Sequence, residues 1–391
     1  MILTILLALA FLISAGALAM TLANLRLYQT PPEASGGSAA KVSVCIPARD
    51  EEANIEACVR SLLASTHRDI EVLVYDDQST DATPEILARL ASEDERVRPL
   101  TAQPLPDGWN GKQHACWQCA NNATGDYFLF TDADVRFEPD AISATLAAWK
   151  AADDAPAMGN RPPDAPLGLI STFPRQIVRS PAEVLLVPMI FFILFSYLPM
   201  FRMRGTTDPN ASAACGQYIF ASRGCYEAFK GHAAFKDTMH DGVKMPREAR
   251  KAGYRTDLFD GTALSSVRMY SNLKTTWKGF AKNAYEGLGS PGLLIFLTVM
   301  HLLGHVLPWI ALLALIIRPQ GITIALGLAI AAAACHLYQR ALLARRFGLP
   351  LLTAPLHVFG VLGMVLVQWD SFRLHRSGQR AWRGRVAGAS A

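Results

Sequence analysis

Residues 42–51 are VSVCIPARDE, and this stretch decides the class of fold. Its first residues are small, apolar or β-branched, which favours a buried strand, and Pro47 ends the run. Residues 51–64 then show the periodicity of a helix, with Ile55 and Leu62 on one face. A buried strand that leads directly into a helix is the opening of an α/β fold.

The same alternation continues along the chain. Residues 70–75 are a predicted strand followed by the acidic run 76–81 (DDQSTD), residues 83–91 a helix, and residues 126–131 a strand that continues into 132–134 (DAD). This order predicts a mostly parallel sheet covered by helices. Ligands bind beyond the carboxyl ends of strands in such sheets, and both acidic clusters follow strands.

The second acidic cluster favours a metal site. Asp132 and Asp134 are separated by one residue, so a turn can direct both carboxylates toward one hard cation. Mg²⁺ or Mn²⁺ suits one or two carboxylates together with the oxygens of a bound diphosphate. A lone Asp-x-Asp is commonly a solvated turn, but here it follows a buried strand and a second acidic cluster lies one strand earlier.

Long apolar segments flank this α/β region. Residues 2–23 carry no charge, and about 20 such residues cross a bilayer as a helix. No basic segment precedes them, so we expect a retained anchor rather than a cleaved signal. Residues 291–317, 321–343 and 351–369 are each long enough to span, although the charge distribution leaves room for one of them to be re-entrant or interfacial.

The apolar stretch 184–201 is different, because it contains Pro188 and Pro199. If it crossed the bilayer, the acidic motifs before it and the segments after it would face opposite compartments, so we expect an interfacial helix. The predicted organisation is a transmembrane anchor at 1–25, a linker at 26–40, an α/β domain at 41–290, transmembrane helices at 291–371 and a basic tail at 372–391.

Composition excludes some classes of partner. The net charge is only +4 and no basic tract with interleaved aromatic residues occurs, so nucleic-acid binding is not expected. Seven scattered cysteines indicate a reducing compartment, and Cys116 and Cys119 are expected to be helix-facing thiols. His301 and His305 lack the acidic partner of an HExxH motif, so a buried histidine pair is the expectation.

Three successive motifs, at residues 42–51, 76–81 and 132–134, resemble those of family 2 glycosyltransferases. The resemblance covers about residues 41–290. It implies an α/β fold of the glycosyltransferase A type, Rossmann-like, with a mostly parallel sheet and helices on both faces, joined here to N-terminal and C-terminal transmembrane helices. It also implies a nucleotide-sugar donor, with a UDP-sugar as the first expectation, and a divalent metal, Mg²⁺ or Mn²⁺.

The resemblance assigns the donor side of the site residue by residue. Asp134, with Asp132, would hold the metal on the donor diphosphate, and Lys112, in a family-like Gly-rich stretch, would lie beside the donor phosphates. Asp132 would also contact the donor. The nucleotide pocket would be lined by Pro47, Arg49, Glu51, Asp76 and Asp77.

The acceptor side is implied in the same way. Residues 216–220 (GQYIF) resemble the acceptor-side segment and supply Gly216 and Gln217, and Asp241 inherits the role of catalytic base by position. His240 stands where the family usually has Glu. The stretches around Arg268 and Trp277 resemble a subgroup linked to hopanoid, carotenoid and related lipid glycosylation, and both residues are expected on the acceptor side.

These inferences predict an inverting membrane-bound glycosyltransferase that moves a sugar to the hydroxyl of a polyprenoid, hopanoid or glycolipid-type acceptor. A processive polysaccharide synthase is one alternative, although the Gln-x-x-Arg-Trp signature is not intact. A nucleotidyltransferase on a similar sheet is another, although it usually has a Gly-rich basic loop after the first strand. Because Arg26 and Lys41 follow the anchor, we expect the inner cell membrane, several spans and a cytoplasmic catalytic domain.

Overall fold

A computed structural model describes residues 1–33, 39–162, 164–317, 323–378, 381–382 and 385–386. Part of the predicted linker (34–38) and nine of the 20 residues of the predicted basic tail lie outside these residues. The chain forms two compact units. The sheet unit contains Tyr28–Arg175, Met200–Arg268 and the described part of Gly378–Ala391, and the helical unit contains Met1–Leu27, Gln176–Pro199 and Met269–Ser377.

The strands are numbered along the chain. They are β1 Val42–Ala48, β2 Ile70–Asp76, β3 Val97–Leu100, β4 Tyr127–Phe130, β5 Val135–Phe137, β6 Leu167–Ser171, β7 Arg175–Gln176, β8 Ile219–Ser222, β9 Arg255–Leu258, β10 Ser265–Val267, β11 Ala381–Trp382 and β12 Arg385–Val386.

The helices are numbered in the same way. They are α1 Ile2–Leu27, α2 Ile55–Leu63, α3 Thr83–Glu93, α4 Gly111–Asn122, α5 Ala141–Asp154, α6 Pro181–Leu186, α7 Met189–Tyr197, α8 Met200–Gly205, α9 Arg223–Ala228, α10 Asp241–Lys251, α11 Leu273–Ala281, α12 Ala284–Leu288, α13 Pro291–His301, α14 Leu307–Ile317, α15 Ile324–Arg346 and α16 His357–Arg376.

A seven-stranded sheet organises the sheet unit, in the order β3-β2-β1-β4-β8-β6-β9. The strands β3, β2, β1 and β4 are parallel, as the alternation of strands and helices predicts. The strand β8 is antiparallel to both of its neighbours, β4 and β6. Because the carboxyl ends of β1, β2 and β4 lie at one edge, the segments that follow these strands meet there.

Helix α2, which follows β1, is shorter than its sequence pattern indicates, because it begins at Ile55 instead of at residue 51. Asp50 has a φ of 53°, a left-handed conformation that interrupts helical geometry. The turn after β2 holds it there, since the backbone N–H of Asp50 donates to Ser79 Oγ at 2.9 Å and Asp50 Oδ1 accepts from the N–H of Thr80 at 2.8 Å. The tertiary contacts of a loop therefore override helical periodicity.

The helical unit places residues 269–290 together with the apolar helices, so the predicted domain boundary at 290 falls inside this unit. Three helical stretches are long and apolar enough to cross a membrane: Ile2–Leu27, Pro291–Ala314 and Ile324–Arg346. The stretch 184–201 is broken into α6, α7 and α8 near its two prolines. Helix α16 carries Asp370, Arg373 and Arg376 in its last turns. The apolar helices indicate a membrane protein.

Buried polar side chains join the helices of this unit. Gln339 of α15 donates through Nε2 to Thr21 Oγ1 at 2.6 Å and to Ser196 Oγ at 2.8 Å. Asn24 of α1 donates to the carbonyls of Phe195 and Leu198 at 2.9 and 2.7 Å, which satisfies acceptors at the end of α7. Such hydrogen bonds link helices where apolar packing alone gives little specificity.

Candidate active site

The carboxyl end of β1 and the turn after β2 form one side of the candidate site. Pro47 pairs with Tyr75 in parallel register, and Cys45 is the last residue of β1 that pairs with β4. The missing N–H of Pro47 therefore costs no hydrogen bond to β4. The N–H of Asp77 donates to the carbonyl of Ala48 at 2.8 Å, which fixes the two segments against each other.

The predicted donor-pocket residues meet at this edge. Nη1 of Arg49 lies 3.7 Å from Oδ2 of Asp77 and also donates to the Asp77 carbonyl. Asp77 is buried, whereas Asp76 uses Oδ1 to accept from the N–H of Ser79 at 3.1 Å. The N–H of Glu51 donates to Thr83 Oγ1 at 2.9 Å. The ion pair keeps the Asp77 carboxylate and the Arg49 guanidinium at a fixed position beyond the strand ends.

Lys112 connects two carboxylates that are far apart in sequence. Its Nζ lies 2.8 Å from Oδ1 of Asp132 and 2.9 Å from Oδ2 of Asp241. The side chain is 15% exposed, so these ion pairs are shielded from water. Asp132 follows β4, and Asp241 begins α10. One ammonium group therefore holds the Asp-x-Asp turn and the predicted base at a single place.

Asn110 positions this lysine and was not identified from the sequence. Its Oδ1 accepts from the N–H of Lys112 at 3.0 Å, which caps α4 at its first turn. The N–H of Asn110 donates to the carbonyl of Lys236 at 2.6 Å. The signal available in the sequence is an Asn directly before a helical segment. The first turn of α4 presents free backbone N–H groups and a positive dipole end, both of which favour an anion.

Gly216 lies against Asp241. A Cβ at position 216 would be 2.2 Å from Oδ1 of Asp241, a distance that no side chain can adopt. The N–H of Gly242 donates to Oδ1 of Asp241 at 2.8 Å, and the N–H of Ala214 donates to the carbonyl of Gly242 at 2.7 Å. The predicted acceptor-side glycine is thus also the residue that makes room for the predicted base.

The pairing with Lys112 sets the ionisation of this group. Burial alone would raise the pKa of Asp241, but the Lys112 ammonium outweighs burial and holds that pKa below its ordinary value. Burial likewise opposes the charge on Lys112, yet Asp132 and Asp241 raise its pKa well above the usual range. Both groups are therefore charged at neutral pH. Burial lowers the pKa of the neighbouring His240, so its imidazole is neutral.

In the part of the chain that the structure describes, Asp134 lacks the cationic partner that Asp132 has in Lys112. Burial, and then the charges of Asp132 and Glu51, raise the pKa of Asp134 to about 7. Its Oδ1 is buried and has no hydrogen-bond partner among the described residues. A carboxylate without a compensating donor or cation is costly to bury. Two neighbouring carboxylates, one of them uncompensated, are a donor set that fits a hard divalent cation.

Backbone contacts hold the segments of Gln217 and Arg268 near the turn that carries Asp132 and Asp134. The carbonyl of Gln217 accepts from Thr131 Oγ1 at 2.8 Å, directly before Asp132. Val267 of β10 pairs with Val135 of β5, and Val135 directly follows Asp134 in the chain. Arg268, the residue after Val267, therefore starts close to Asp134. Trp277 belongs to the helical unit, where its Nε1 donates to Oδ2 of Asp370 at 2.8 Å. An acceptor-side role for Trp277 stays a prediction.

His232 is a second residue that sequence analysis missed. It is fully buried, and its Nδ1 lies 2.7 Å from the hydroxyl of Tyr226. Burial lowers the pKa of His232 to about 3, with Asp241 opposing that shift. It therefore forms a neutral part of the wall behind the site. Nothing in its local sequence distinguishes it from other histidines of the chain.

Comparisons with known proteins agree with this geometry. The sequence model described as Glycosyl transferase family 2 matches residues 43–229. A 4,4'-diaponeurosporenoate glycosyltransferase from Staphylococcus haemolyticus is 26% identical over 262 residues, which are 65% of this chain and 64% of that protein. A beta-monoglucosyldiacylglycerol synthase from Trichormus variabilis is 34% identical over 128 residues, 32% of this chain and 26% of that one. The chain thus spans less than two thirds of the length of these curated relatives.

A solved structure confirms the predicted fold. The mannosyltransferase PcManGT from Pyrobaculum calidifontis, in complex with GDP-Man and Mn²⁺, has a TM-score of 0.55 at 18% identity. The match covers 95% of this chain and 99% of that one, so it includes the apolar helices as well as the sheet. Residues 43–229 therefore match the sequence model of family 2 glycosyltransferases, and the chain has the A-type fold of this glycosyltransferase structure.

Proposed function

We propose that this chain is an inverting glycosyltransferase that moves a sugar from a nucleoside-diphosphate donor to a hydroxyl group of a membrane lipid. The observation that carries the proposal is the position of Lys112, whose Nζ contacts Asp132 at 2.8 Å and Asp241 at 2.9 Å. These contacts support a scheme in which a general base and a diphosphate-binding turn act on one reacting carbon. A single displacement needs those two groups and no covalent nucleophile.

Asp241 is the base in this scheme. It is ionised at neutral pH, and the backbone N–H of Gly242 holds one of its oxygens. The other carboxylate oxygen, Oδ2, which pairs with Lys112 in the structure, accepts the proton of the acceptor hydroxyl as the hydroxyl oxygen attacks the anomeric carbon. General-base assistance of this kind contributes roughly 10²–10⁴-fold to the rate.

Lys112 can serve two partners in turn. In the structure it neutralises Asp132 and Asp241. A donor diphosphate at the first turn of α4 competes for the same ammonium group, because phosphate oxygens carry more negative charge than one carboxylate. When the ammonium turns to the phosphate, the influence that lowers the pKa of Asp241 weakens, and this carboxylate becomes a stronger base. Donor binding would thus prepare the base.

Asp134, with Asp132, is the proposed holder of Mg²⁺ or Mn²⁺. The support is the uncompensated Oδ1 of Asp134 and the pKa of about 7 that its carboxyl group has without a cation. A bound divalent ion supplies Lewis-acid stabilisation of the departing diphosphate. PcManGT was solved with Mn²⁺ and GDP-Man. For this chain a UDP-sugar is the donor we propose to test first.

The proposed acceptor is a lipid of the polyprenoid, hopanoid or glycolipid type. Three helical stretches of this chain are apolar enough to span a bilayer. The names of the relatives support a lipid acceptor, since they include a 4,4'-diaponeurosporenoate glycosyltransferase and a beta-monoglucosyldiacylglycerol synthase. We place the protein in the inner cell membrane with the sheet unit in the cytoplasm, because Arg26 and Lys41 follow α1.

The test compares lipids from cells that express the protein, lack it, or carry Asp241→Asn. Mass spectrometry should find one glycolipid that depends on the wild-type protein and is missing in the other two strains. The detergent-purified protein, supplied with that lipid and a panel of UDP- and GDP-sugars, should release a nucleoside diphosphate and form the inverted anomer.

Other products would contradict the proposal. Release of pyrophosphate would identify a nucleotidyltransferase, and a ladder of sugar polymers would identify a processive synthase. A retained anomeric configuration would exclude a single displacement. A lipid profile that is the same in all three strains would exclude a lipid acceptor.

A further inference from the structure

Three histidines from separate helices converge inside the helical unit. His305 lies in a π-helical turn, Leu302–Val306, between α13 and α14, whereas His336 belongs to α15 and His357 begins α16. All three are fully buried, and each offers a ligand atom within 4.8 Å of the others. His301 adds a fourth buried ring, whose centroid is 5.9 Å from that of His305.

The backbone around His305 is unusual for an apolar helix. A π-helical turn has poorer hydrogen bonding than an α-helix, so it persists only where other interactions compensate, and such turns frequently mark functional positions. Gly304, next to His305, packs so closely on α1 that a Cβ would lie 2.4 Å from Ile13. The π-helical turn thus directs His305 toward the neighbouring helices differently from a regular α-helix.

The polar atoms of this cluster are incompletely satisfied. Nδ1 of His357 and both ring nitrogens of His301 are buried without a hydrogen-bond partner among the described residues. Nδ1 of His305 lies 3.3 Å from Nε2 of His357, so without an ion these two nitrogens share one proton in a hydrogen bond. Buried imidazoles are ordinarily hydrogen-bonded, because desolvation without compensation is costly. Ligand atoms of three rings that lie within 4.8 Å of one another are close enough to share one metal ion.

We infer that His305, His336 and His357 bind one first-row transition-metal ion of the kind that imidazole favours, with Zn²⁺ as the reference. Imidazole suits zinc, copper, iron and nickel, whereas Mg²⁺ and Mn²⁺ prefer oxygen ligands. The site is therefore chemically distinct from the carboxylates of the sheet unit. Nitrogens bound to Zn²⁺ lie about 2.0–2.1 Å from it, which for a tetrahedral ion separates them by roughly 3.4 Å. The 3.3 Å between His305 Nδ1 and His357 Nε2 matches that spacing.

Outer hydrogen bonds are present for two of the ligands. With Nδ1 of His305 on the ion, its Nε2–H donates to the hydroxyl of Tyr197, which lies 3.1 Å away. Ligand histidines usually make such a second bond, which fixes the ring. His336 has Ser14 Oγ at 2.8 Å from Nε2 and Trp309 Nε1 at 3.1 Å from Nδ1. Because Trp309 Nε1–H only donates, the contact that opens is the one at Nδ1: Nδ1 of His336 binds the ion, and Nε2–H donates to Ser14 Oγ and orients the ring.

The consequence for the molecule is structural. An ion held by the π-helical turn, α15 and α16 would join three elements that are otherwise linked by side-chain packing and hydrogen bonds. Because a metal that binds only the folded state adds to its stability, the helical unit should depend on metal supply. No step of sugar transfer needs this ion.

The test is metal analysis of the full-length protein, purified in detergent with an affinity tag that contains no histidine. After dialysis against a chelator and addition of Zn²⁺, elemental mass spectrometry should find one tightly held zinc per chain. The combined variant His336→Gln and His357→Gln should lose it. His67→Gln is the matched control, because this buried histidine belongs to the sheet unit, where its Nε2 lies 2.9 Å from the carbonyl oxygen of Ala40.

A measurement on the wild-type protein makes the test independent of variant folding. X-ray absorption at the zinc edge should give nitrogen ligands at about 2.0–2.1 Å with the outer scattering of imidazole rings. Zn²⁺ should also raise the unfolding temperature of Asp134→Ala, in which the donor-metal site is removed. Absence of bound zinc, cobalt and copper in the wild-type protein would overturn the inference. Equal zinc in the wild-type and the combined variant, or oxygen-dominated coordination, would overturn it as well.

Discussion

The two units of the chain bury polar groups in different ways. At the candidate site of the sheet unit the buried polar groups include charged pairs, as with Lys112 between Asp132 and Asp241. In the helical unit they are mostly neutral: Gln339 hydrogen-bonds to Thr21, and the histidine cluster contains no carboxylate among its three converging members. The first arrangement lies where strands end and ligands enter. The second lies among apolar helices.

The difference follows from what each environment can compensate. Charged groups at a sheet edge can exchange their partners for a diphosphate or a divalent ion. In the proposed reaction their ion pairs therefore break when these ligands bind. Neutral amides and imidazoles among apolar helices lose less on desolvation and serve to connect helices. We therefore expect substitutions in the first group to change turnover and substitutions in the second to change stability.

The largest effect is expected for Asp134→Ala. Loss of metal-assisted stabilisation of the leaving group is worth several kcal/mol, so turnover should fall by about 10³-fold or more. Calorimetry should also show the loss of metal-dependent nucleotide binding. Asp126→Asn is a suitable control, because Asp126 accepts from the N–H of Lys41 at the opposite end of β4. Normal Mn²⁺-dependent nucleotide binding by Asp134→Ala would remove this residue from the metal site.

Lys112→Gln should lower turnover by roughly 10²–10³-fold, as removal of one preorganised donor to a developing anion does. It should also change the pH profile of kcat/KM. Lys112 holds the pKa of Asp241 down, and activity requires the carboxylate form. Without the ammonium the pKa rises, so activity is lost at a higher pH as the solution is acidified.

The control for this profile is Lys150→Gln, since Lys150 is an exposed residue that pairs only with Asp154 at 2.8 Å. An acid limb at the same pH in Lys112→Gln and the wild type would mean that Asp241 is not the titrating base.

Gly216→Ala should reduce kcat by about 10²-fold, because misplacement of a catalytic group by about 1 Å has that effect. The added Cβ would be 2.2 Å from Oδ1 of Asp241, so the carboxylate must move. Gly224→Ala is matched to it, since a Cβ there meets nothing closer than 3.9 Å. If both variants had wild-type kcat, the contact between Gly216 and Asp241 would have no catalytic importance.

The smallest effect on turnover is expected in the helical unit. Gln339→Leu removes hydrogen bonds to Thr21 and Ser196 and should destabilise the protein by about 1 kcal/mol. Turnover per folded molecule should stay unchanged. Thermal unfolding in detergent measures the loss of stability. Tyr338→Leu is the control, because Tyr338 is 57% exposed. A large loss of turnover without a loss of stability would break the division between the two units.

The same comparison explains what the sequence could predict. In the sheet unit the candidate site residues lie in contiguous motifs, so the sequence alone predicts strand β1, the acidic run after β2 and the Asp132–Asp134 turn. Asp241 was assigned by its order after these motifs. The start of α2 was wrong by four residues, because Asp50 is held by Ser79 and Thr80, and contacts between distant loops leave no local pattern.

In the helical unit the sequence was less informative. It indicated a buried pair at His301 and His305, which the structure confirms. It gave no reason to join His336 and His357 to that pair, since they are isolated residues on different helices. The antiparallel strand β8 was missed for a similar reason: its direction depends on a chain path through residues 172–218 and not on its own composition.

The most direct test of the account is the comparison of donor binding and turnover in Asp241→Asn. Titration with nucleotide sugar in the presence of Mn²⁺ should give an affinity within a few-fold of the wild type, because the Asp132–Asp134 turn is intact. Single-turnover transfer to the acceptor lipid should be slower by about 10²–10⁴-fold, the share of a general base. Transfer at a near-normal rate would mean that another residue takes the proton, and the proposed mechanism would be wrong.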